Sequence, residues 1–541
     1  MSATQTDSGT VEKTLSRSAR STALVMGVTA VSRVLGFVRQ ATVNAVFGAT
    51  GSADVLNAVF NIPNNLRKLL AEGALSSAFI PVLSQASARA EQSQTAGETD
   101  AVPGQIVRNL LTFQYLVLIP VLILSVVFAG PITRFILDFP EPSRQELAAD
   151  LFRWFIHYTL LISVSAVLMG TLNSRSLFGV PAVTPIVFSV AVISSILLLH
   201  DRIGLHSMSV GILVGGLAQI AMQTPQFKRL GFDFRPSFDF SNPYFRRIMR
   251  QWLPVVAASS VFAINQQVAL FFASGLEDGS SSALANAVIF WQLPQGIFGI
   301  SIMTVLFPRM SREAGENDHE ALKHTLGFGV RGIVALLVPS AILLALLGRE
   351  IVSVAFQRGA FELGDTLRTA EVLTAYCVGM AGVSVFTFLQ RFFYSYGDYR
   401  TPTIAAVGVV AVDIALSLWL KETPLRVTGL AIANSVAFTL GAIALLARSG
   451  RVLSGVEIGP ILATLGKTIV ATVPSVVVVL LARMWLGAWW QAGSSVGAFG
   501  IIAVIGVLAA ALLVGGFFVL RVEVATSLIR RRTHGTKPTQ S

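Results

Sequence analysis

The chain has 541 residues, 53% of them hydrophobic and only 13% charged, and a water-soluble fold of this size could not cover so much apolar surface. That balance excludes a soluble enzyme and indicates a polytopic membrane protein. A net charge of +11 would suit a nucleic-acid binder, but the basic residues sit at the ends of apolar runs, so they read as membrane topology and no nucleic-acid partner is expected.

Residues 1–21 are polar, contain Lys13, Arg17 and Arg20, and lack a cleavable leader, which predicts a cytoplasmic N-tail and a first span that serves as its own signal. At about 20 residues per crossing, the apolar runs predict an all-α protein of about fourteen transmembrane helices. An N-terminal lobe over 22–224 holds expected spans 22–48, 55–84, 106–130, 147–170, 182–200 and 207–224. The basic, aromatic stretch 225–251, with Pro236 and Pro243, reads as a cytoplasmic amphipathic linker whose end lies at the membrane surface. A C-terminal lobe over 252–447 holds spans 252–275, 283–308, 326–348, 369–395, 403–420 and 427–447. Two further helices, 461–485 and 497–520, lie in 448–520, and 521–541 is a basic tail. Alternate loops carry Arg89, Arg175, the 228–250 group, Arg309, Arg312, Lys323, Arg400 and Arg448, an asymmetry that puts both termini inside.

The lobes look repeated. Phe79-Ile80-Pro81-Val82-Leu83-Ser84 ends the second span as Leu306-Phe307-Pro308-Arg309-Met310-Ser311 ends the eighth, and Ser174 precedes Pro181 much as Ser395 precedes Pro402. Matches six spans apart suggest parallel repeats about an axis along the membrane normal, a transporter architecture. The single cysteine, Cys377, excludes an internal disulfide and a cysteine metal cluster. Arg331, near the start of the ninth span, is expected to snorkel to the inner face.

Ser32 to Ser84 is the most informative stretch. It sets Arg33, Arg39, Arg67, Lys68, Asp54 and Glu72 within two apolar spans, where a charge costs about 2.5–3.5 kcal/mol on insertion scales and so normally faces a bundle interior or a wet cavity. Asn64, Arg67, Lys68 and Glu72 recur at helical spacing and share one face, flanked by Pro63 and Gly73. The cations outnumber the acids, which leaves positive charge for an anion; the competing reading is that Arg33 and Arg67 pair with Asp54 and Glu72 to join helices.

Ser32-Arg33-Val34-Leu35-Gly36-Phe37-Val38-Arg39, with Pro63-Asn64, Arg67, Ala71-Glu72-Gly73-Ala74 and Phe79-Ile80-Pro81, closely resembles the MurJ (MviN) family of lipid II flippases, within the superfamily of multidrug, oligosaccharidyl-lipid and polysaccharide exporters. The resemblance covers essentially the whole chain. It implies transport of undecaprenyl-diphosphate-linked peptidoglycan precursor across the bacterial cytoplasmic membrane for cell wall synthesis, by alternating access around a cavity lined by Arg33, Arg39 and Arg67, with Asp54 at the start of the second span. It also implies that the two extra helices form a groove for the lipid tail. Membrane lipids and other cell-wall synthesis proteins are the further partners expected. No cofactor is expected; membrane potential, sodium and protons are the energy sources left open. Asp413 and Ser417, at i and i+4, stand where some members place sodium ligands, and a structural or proton-sensing role for Asp413 competes with that reading. The chain departs from the family at Val288, Ile289 and Gln292, where the eighth span usually carries charges, at Gln40, where an aspartate often follows the arginine, and at Ala269, where a second cation ligand would stand. Asn265, Gln266 and Gln267 are expected to make interhelical hydrogen bonds.

Three other readings compete. One is export of another lipid-linked glycan or an amphipathic drug on the same architecture. Another is a membrane-embedded transferase, for which Glu141, Glu146, Asp150, Glu362 and Asp365 lack the required spacing. The last is an inactive cell-wall scaffold.

Overall fold

The computed structural model describes residues 6–70, 74–92, 101–486 and 495–523, with α1 side chains described from Gly27. Every regular element among them is helical. Hydrocarbon demands this, because each backbone N–H and C=O must find its partner within its own segment. By contact the chain divides into two compact units, residues 1–47 with 51–267 and residues 48–50 with 268–541.

The first unit contains α1 (Thr6–Phe47), α2 (Ser52–Leu70), α3 (Ala74–Gln92), α4 (Ala101–Val127), α5 (Ala129–Ile136), α6 (Pro142–Phe155), α7 (His157–Ser174), α8 (Gly179–Ile203) and α9 (His206–Arg229), and α10 (Pro243–Ser274) as far as Gln267. Helix α8 packs on α1 and on α9. The α8–α9 approach depends on glycine, since a Cβ on Gly211 or Gly215 would sit 2.8 Å from Val192 or Phe188. The linker is shorter than expected, because α9 and α10 run into it from both sides and leave 230–242 irregular. Asn242 accepts at 2.9 Å from the Tyr244 N–H and caps α10, so Pro243–Arg250 forms its first turns. The irregular segment is tied to α4 by a two-pronged Arg108–Asp233 pair at 2.6 and 2.7 Å, by Gln105 to Asp239 at 2.9 Å, and by Phe113 against Phe240, and Phe113 also meets Phe245 of α10.

The second unit contains α11 (Ser280–Pro294), a π turn at Gln295–Gly299, α12 (Ile300–Gly315), α13 (His319–Leu346), α14 (Gly348–Phe356), α15 (Leu363–Val378), α16 (Met380–Ser395), α17 (Arg400–Leu420), α18 (Arg426–Val452), α19 (Ile458–Leu486) and α20 (Ser495–Val519). Helices α15 and α16 meet at 47°, so the tenth expected span is bent. A methyl group on Gly379 at that joint would collide with the Ser435 backbone, which fixes the bend against α18. Helices α19 and α20 pack on each other and on α13 through Ala471, Phe517 and Ala335, and on α14 through Val479 and Ala509. Among the described residues, ten helical segments are long and apolar enough to cross a membrane, or eleven with the bent pair, so the count of fourteen is not reached by this measure. The expected spans 22–48, 55–84 and 252–275 are also helical, as α1, α2 with α3, and α10.

Arg331 does not snorkel. It is 6% exposed and pairs with Glu457, just before α19, and with Glu523, just after α20, at 2.6 Å. A guanidinium with two carboxylates in reach gains more from charge-assisted hydrogen bonds than from stretching toward water.

Candidate functional site

On α1, Arg33 is exposed while Arg39, on another flank of the helix, is half-buried. The Arg39 guanidinium lies 5.8 Å from the centre of the Phe60 ring on α2 and 5.3 Å from that of Phe188 on α8. Cation–π attraction to these rings positions the guanidinium, whose N–H donors lie in its own plane and can take an oxyanion edge-on. Beside it, Gln40 donates at 3.2 Å to Asn44 on α1 and at 3.2 Å to Asn57 on α2. Asn57 donates back to Ala53 O at 3.1 Å, and Asn61 to Asn57 O at 2.9 Å. The α1–α2 seam thus contains an amide ladder in which Gln40 bridges Asn44 and Asn57.

Asp54, in the first turn of α2, is 1% exposed and meets Arg144, in the first turn of α6, at 2.9 Å. The positive end of the α2 dipole favours the same carboxylate, and the Arg144 guanidinium also covers the Phe139 ring at 4.8 Å. Sequence reasoning missed Arg144, because nothing local signals a pair 90 residues apart. Asn64 is half-buried beside buried Pro63 and Asn65. The side chains of Arg67 and Lys68, though carried by α2, and the whole of Glu72 lie outside the described residues.

In the second unit, Asp413 is 4% exposed and accepts hydrogen bonds from Ser417 Oγ at 3.3 Å and from Asn434 Nδ2 on α18 at 3.1 Å. The expected pair is therefore together, joined by an amide donor that ties α17 to α18. No group of three or more histidine, cysteine, aspartate or glutamate side chains among the described residues could hold a metal. Val288 and Ile289 are half-buried and Gln292 is exposed on α11, which Trp291 fixes by donating to Tyr376 O at 2.9 Å. Of the α10 amides, Gln267 donates to Ile136 O at 3.0 Å, an interhelical bond of the expected kind.

The all-helical architecture, with ten or eleven segments among the described residues long and apolar enough to cross a membrane, is that of a multi-pass membrane protein. Its fold is that of the superfamily to which a multidrug resistance MATE family transporter belongs, seen inward-facing, with a TM-score of 0.58 at 14% identity over 77% of this chain and 98% of that one. A structure of lipid II flippase MurJ in an inward closed conformation is nearer, with a TM-score of 0.73 at 23% identity, covering 92% of this chain and 99% of that chain. The sequence profile described as "Lipid II flippase MurJ" matches residues 43–500. Relatives named "Probable lipid II flippase MurJ" share 34% identity over 78% of this chain and 81% of the Borreliella burgdorferi protein, and 32% over 80% and 82% for Vibrio cholerae. The chain belongs to the MurJ family of lipid II flippases, a family of transporters and not of catalysts.

Proposed function

We propose that the chain flips lipid II, the undecaprenyl-diphosphate-linked peptidoglycan precursor, from the cytoplasmic to the periplasmic leaflet of the bacterial inner membrane by alternating access, with both termini in the cytoplasm. The family match over residues 43–500 carries the reading. Within the first unit the physics agrees: a diphosphate asks for planar, permanently charged donors, and Arg39 is held beside the Phe60 and Phe188 rings. Arg33, Arg67, Lys68 and Asn64 are proposed to share the anion. Asp54 serves that site indirectly, by holding the start of α2 to α6. The exposed faces of α19 and α20, with Leu462, Val470, Val477 and Val507, suit the lipid tail. Ile289 leaves the cationic charge to the first two helices. Asp413, hydrogen-bonded on two sides, is proposed as a structural or proton-responsive group.

Depletion of the protein tests the function. Lipid-linked precursor should accumulate in the cytoplasmic leaflet, and wild-type protein in proteoliposomes should restore its flipping. Normal flipping in depleted cells, with no other flippase present, would refute the proposal.

A further inference from the structure

The second unit contains a groove of about 710 Å³ between α15 and the start of α18. One wall is a single stripe of α15: Gly364, Leu367, Arg368, Glu371, Thr374 and Val378 recur at three and four residues. Arg426 and Ile432 face them from α18, and Glu277 closes one end by pairing with Arg426 at 3.3 Å. The 47° bend after Val378 starts where this wall ends.

The stripe's chemistry is wrong for lipid. The outward faces of α19 present Leu462, Ile469, Val470, Val473 and Val477, whereas α15 exposes Glu371 and Thr374 about 12 and 17 Å along its axis. An exposed ionisable group on a helix of a membrane-spanning bundle ordinarily faces water or a ligand. Glu371 makes no hydrogen bond or ion pair with any described residue, while Arg368 donates to the Asp278 carbonyl and also feels the charge of Asp365 on its own helix. The groove thus offers a carboxylate and a guanidinium one helical turn apart, with a second guanidinium across from them and apolar Leu367, Val378 and Ile432 between. With Glu277 counted, two carboxylates and two guanidiniums line it, so it complements a ligand with an amine, carboxylates and small apolar groups together. A bare phosphate or an alkyl chain would leave half of it unused.

We propose that this groove binds the peptide portion of the transported precursor, Glu371 taking an amine and Arg368 and Arg426 taking carboxylates. The assignment rests on the proposed lipid II substrate and gives the second unit a part in recognition that needs no arginine at position 289.

The test compares proteoliposome flipping of two substrates, the peptide-bearing precursor and the same lipid-linked disaccharide without peptide. Glu371→Gln and Arg368→Gln should each slow the peptide-bearing substrate about tenfold and leave the peptide-free one within twofold of wild type. A free pentapeptide with a side-chain amine should also slow thiol labelling of Thr374→Cys, made with Cys377→Ser. Equal slowing of both substrates, or slowing of neither, overturns the proposal, as does labelling indifferent to the peptide. If wild type moves neither substrate, the fault lies with the flippase reading, and the labelling result alone judges the groove.

Discussion

Arg39 shows how a residue can be legible in type and illegible in setting. Its charge within an apolar run marked it for a cavity, but the rings that seat it, Phe60 and Phe188, are ordinary apolar residues in sequence and become partners only when α2 and α8 pack beside α1. Arg39→Lys keeps the charge and loses both the planar fork and the ring contact, so flipping should fall about tenfold; Arg39→Ala should abolish it, with protein abundance unchanged. Wild-type flipping in Arg39→Lys alone would show that charge suffices without the fork, and wild-type flipping in both variants would show that the residue does not matter. Asp54 was legible as an intramembrane acid, while its pairing with Arg144 was not. Arg144→Ala would leave its buried carboxylate short of a guanidinium and should cost about 3 kcal/mol. Thermal unfolding in detergent should show this as a lower midpoint, while Asp54→Asn with Arg144→Met should recover most of the loss. A stable Arg144→Ala protein would mean that the pair contributes little.

Among the elements, the helices were written plainly in hydropathy and their breaks were not. The expected span 369–395 is bent by 47° between α15 and α16, because apolar runs show where a chain can cross and not where a glycine redirects it. Gly379 is such a place. Gly379→Ala would push a methyl group into the Ser435 backbone, which cannot step aside as a side-chain tip can, so about 1–3 kcal/mol of overpacking is expected. Gly382→Ala meets first the Thr439 hydroxyl and should cost less; the two thermal midpoints, measured side by side, should separate in that order. The 230–242 segment gives a pH dependence. Burial alone would raise the Asp233 carboxyl, but the hydrogen bonds and charge of Arg108, with help from Arg235, hold it below the usual carboxylate range. A lowered folded pKa stabilises above the unfolded value, about 4, and that stabilisation disappears as pH falls through the folded value. Because the pair is partly exposed, the effect should be about 1 kcal/mol at most. Proteolysis within 230–242 should therefore quicken at acid pH in wild type, and Asp233→Asn should be cleaved faster at neutral pH with that acid response flattened.

For the whole molecule, family, membrane class and helical content followed from sequence, since each depends on residue types that are costly in a bilayer unless used. What did not follow were attachments made by residues far apart in the chain, and Arg331 is the clearest instance. Its position near a helix start suggested a side chain reaching for headgroups, but Glu457 and Glu523, 126 and 192 residues away, flank the two extra helices and close on it. This triad ties the beginning of α19 and the end of α20 to α13 at one face of the membrane-spanning bundle, and the apolar contacts of Ala335, Ala471 and Phe517 continue the attachment inward. Arg331→Ala should leave two carboxylates without their shared cation; because Glu457 and Glu523 are partly exposed, the loss should be about 1–3 kcal/mol, below that of a fully buried pair. The consequence should be local. Protease should cut the connection between α18 and α19, at residues 453–457, faster than in wild type, while cleavage in 230–242 of the first unit stays unchanged. Replacing all three together, Arg331→Met with Glu457→Gln and Glu523→Gln, removes the unbalanced charge and should restore slow cleavage. If Arg331→Ala is cut at the wild-type rate and melts at the wild-type temperature, the triad is a surface pair of little weight, and the apolar contacts alone hold α19 and α20 in place.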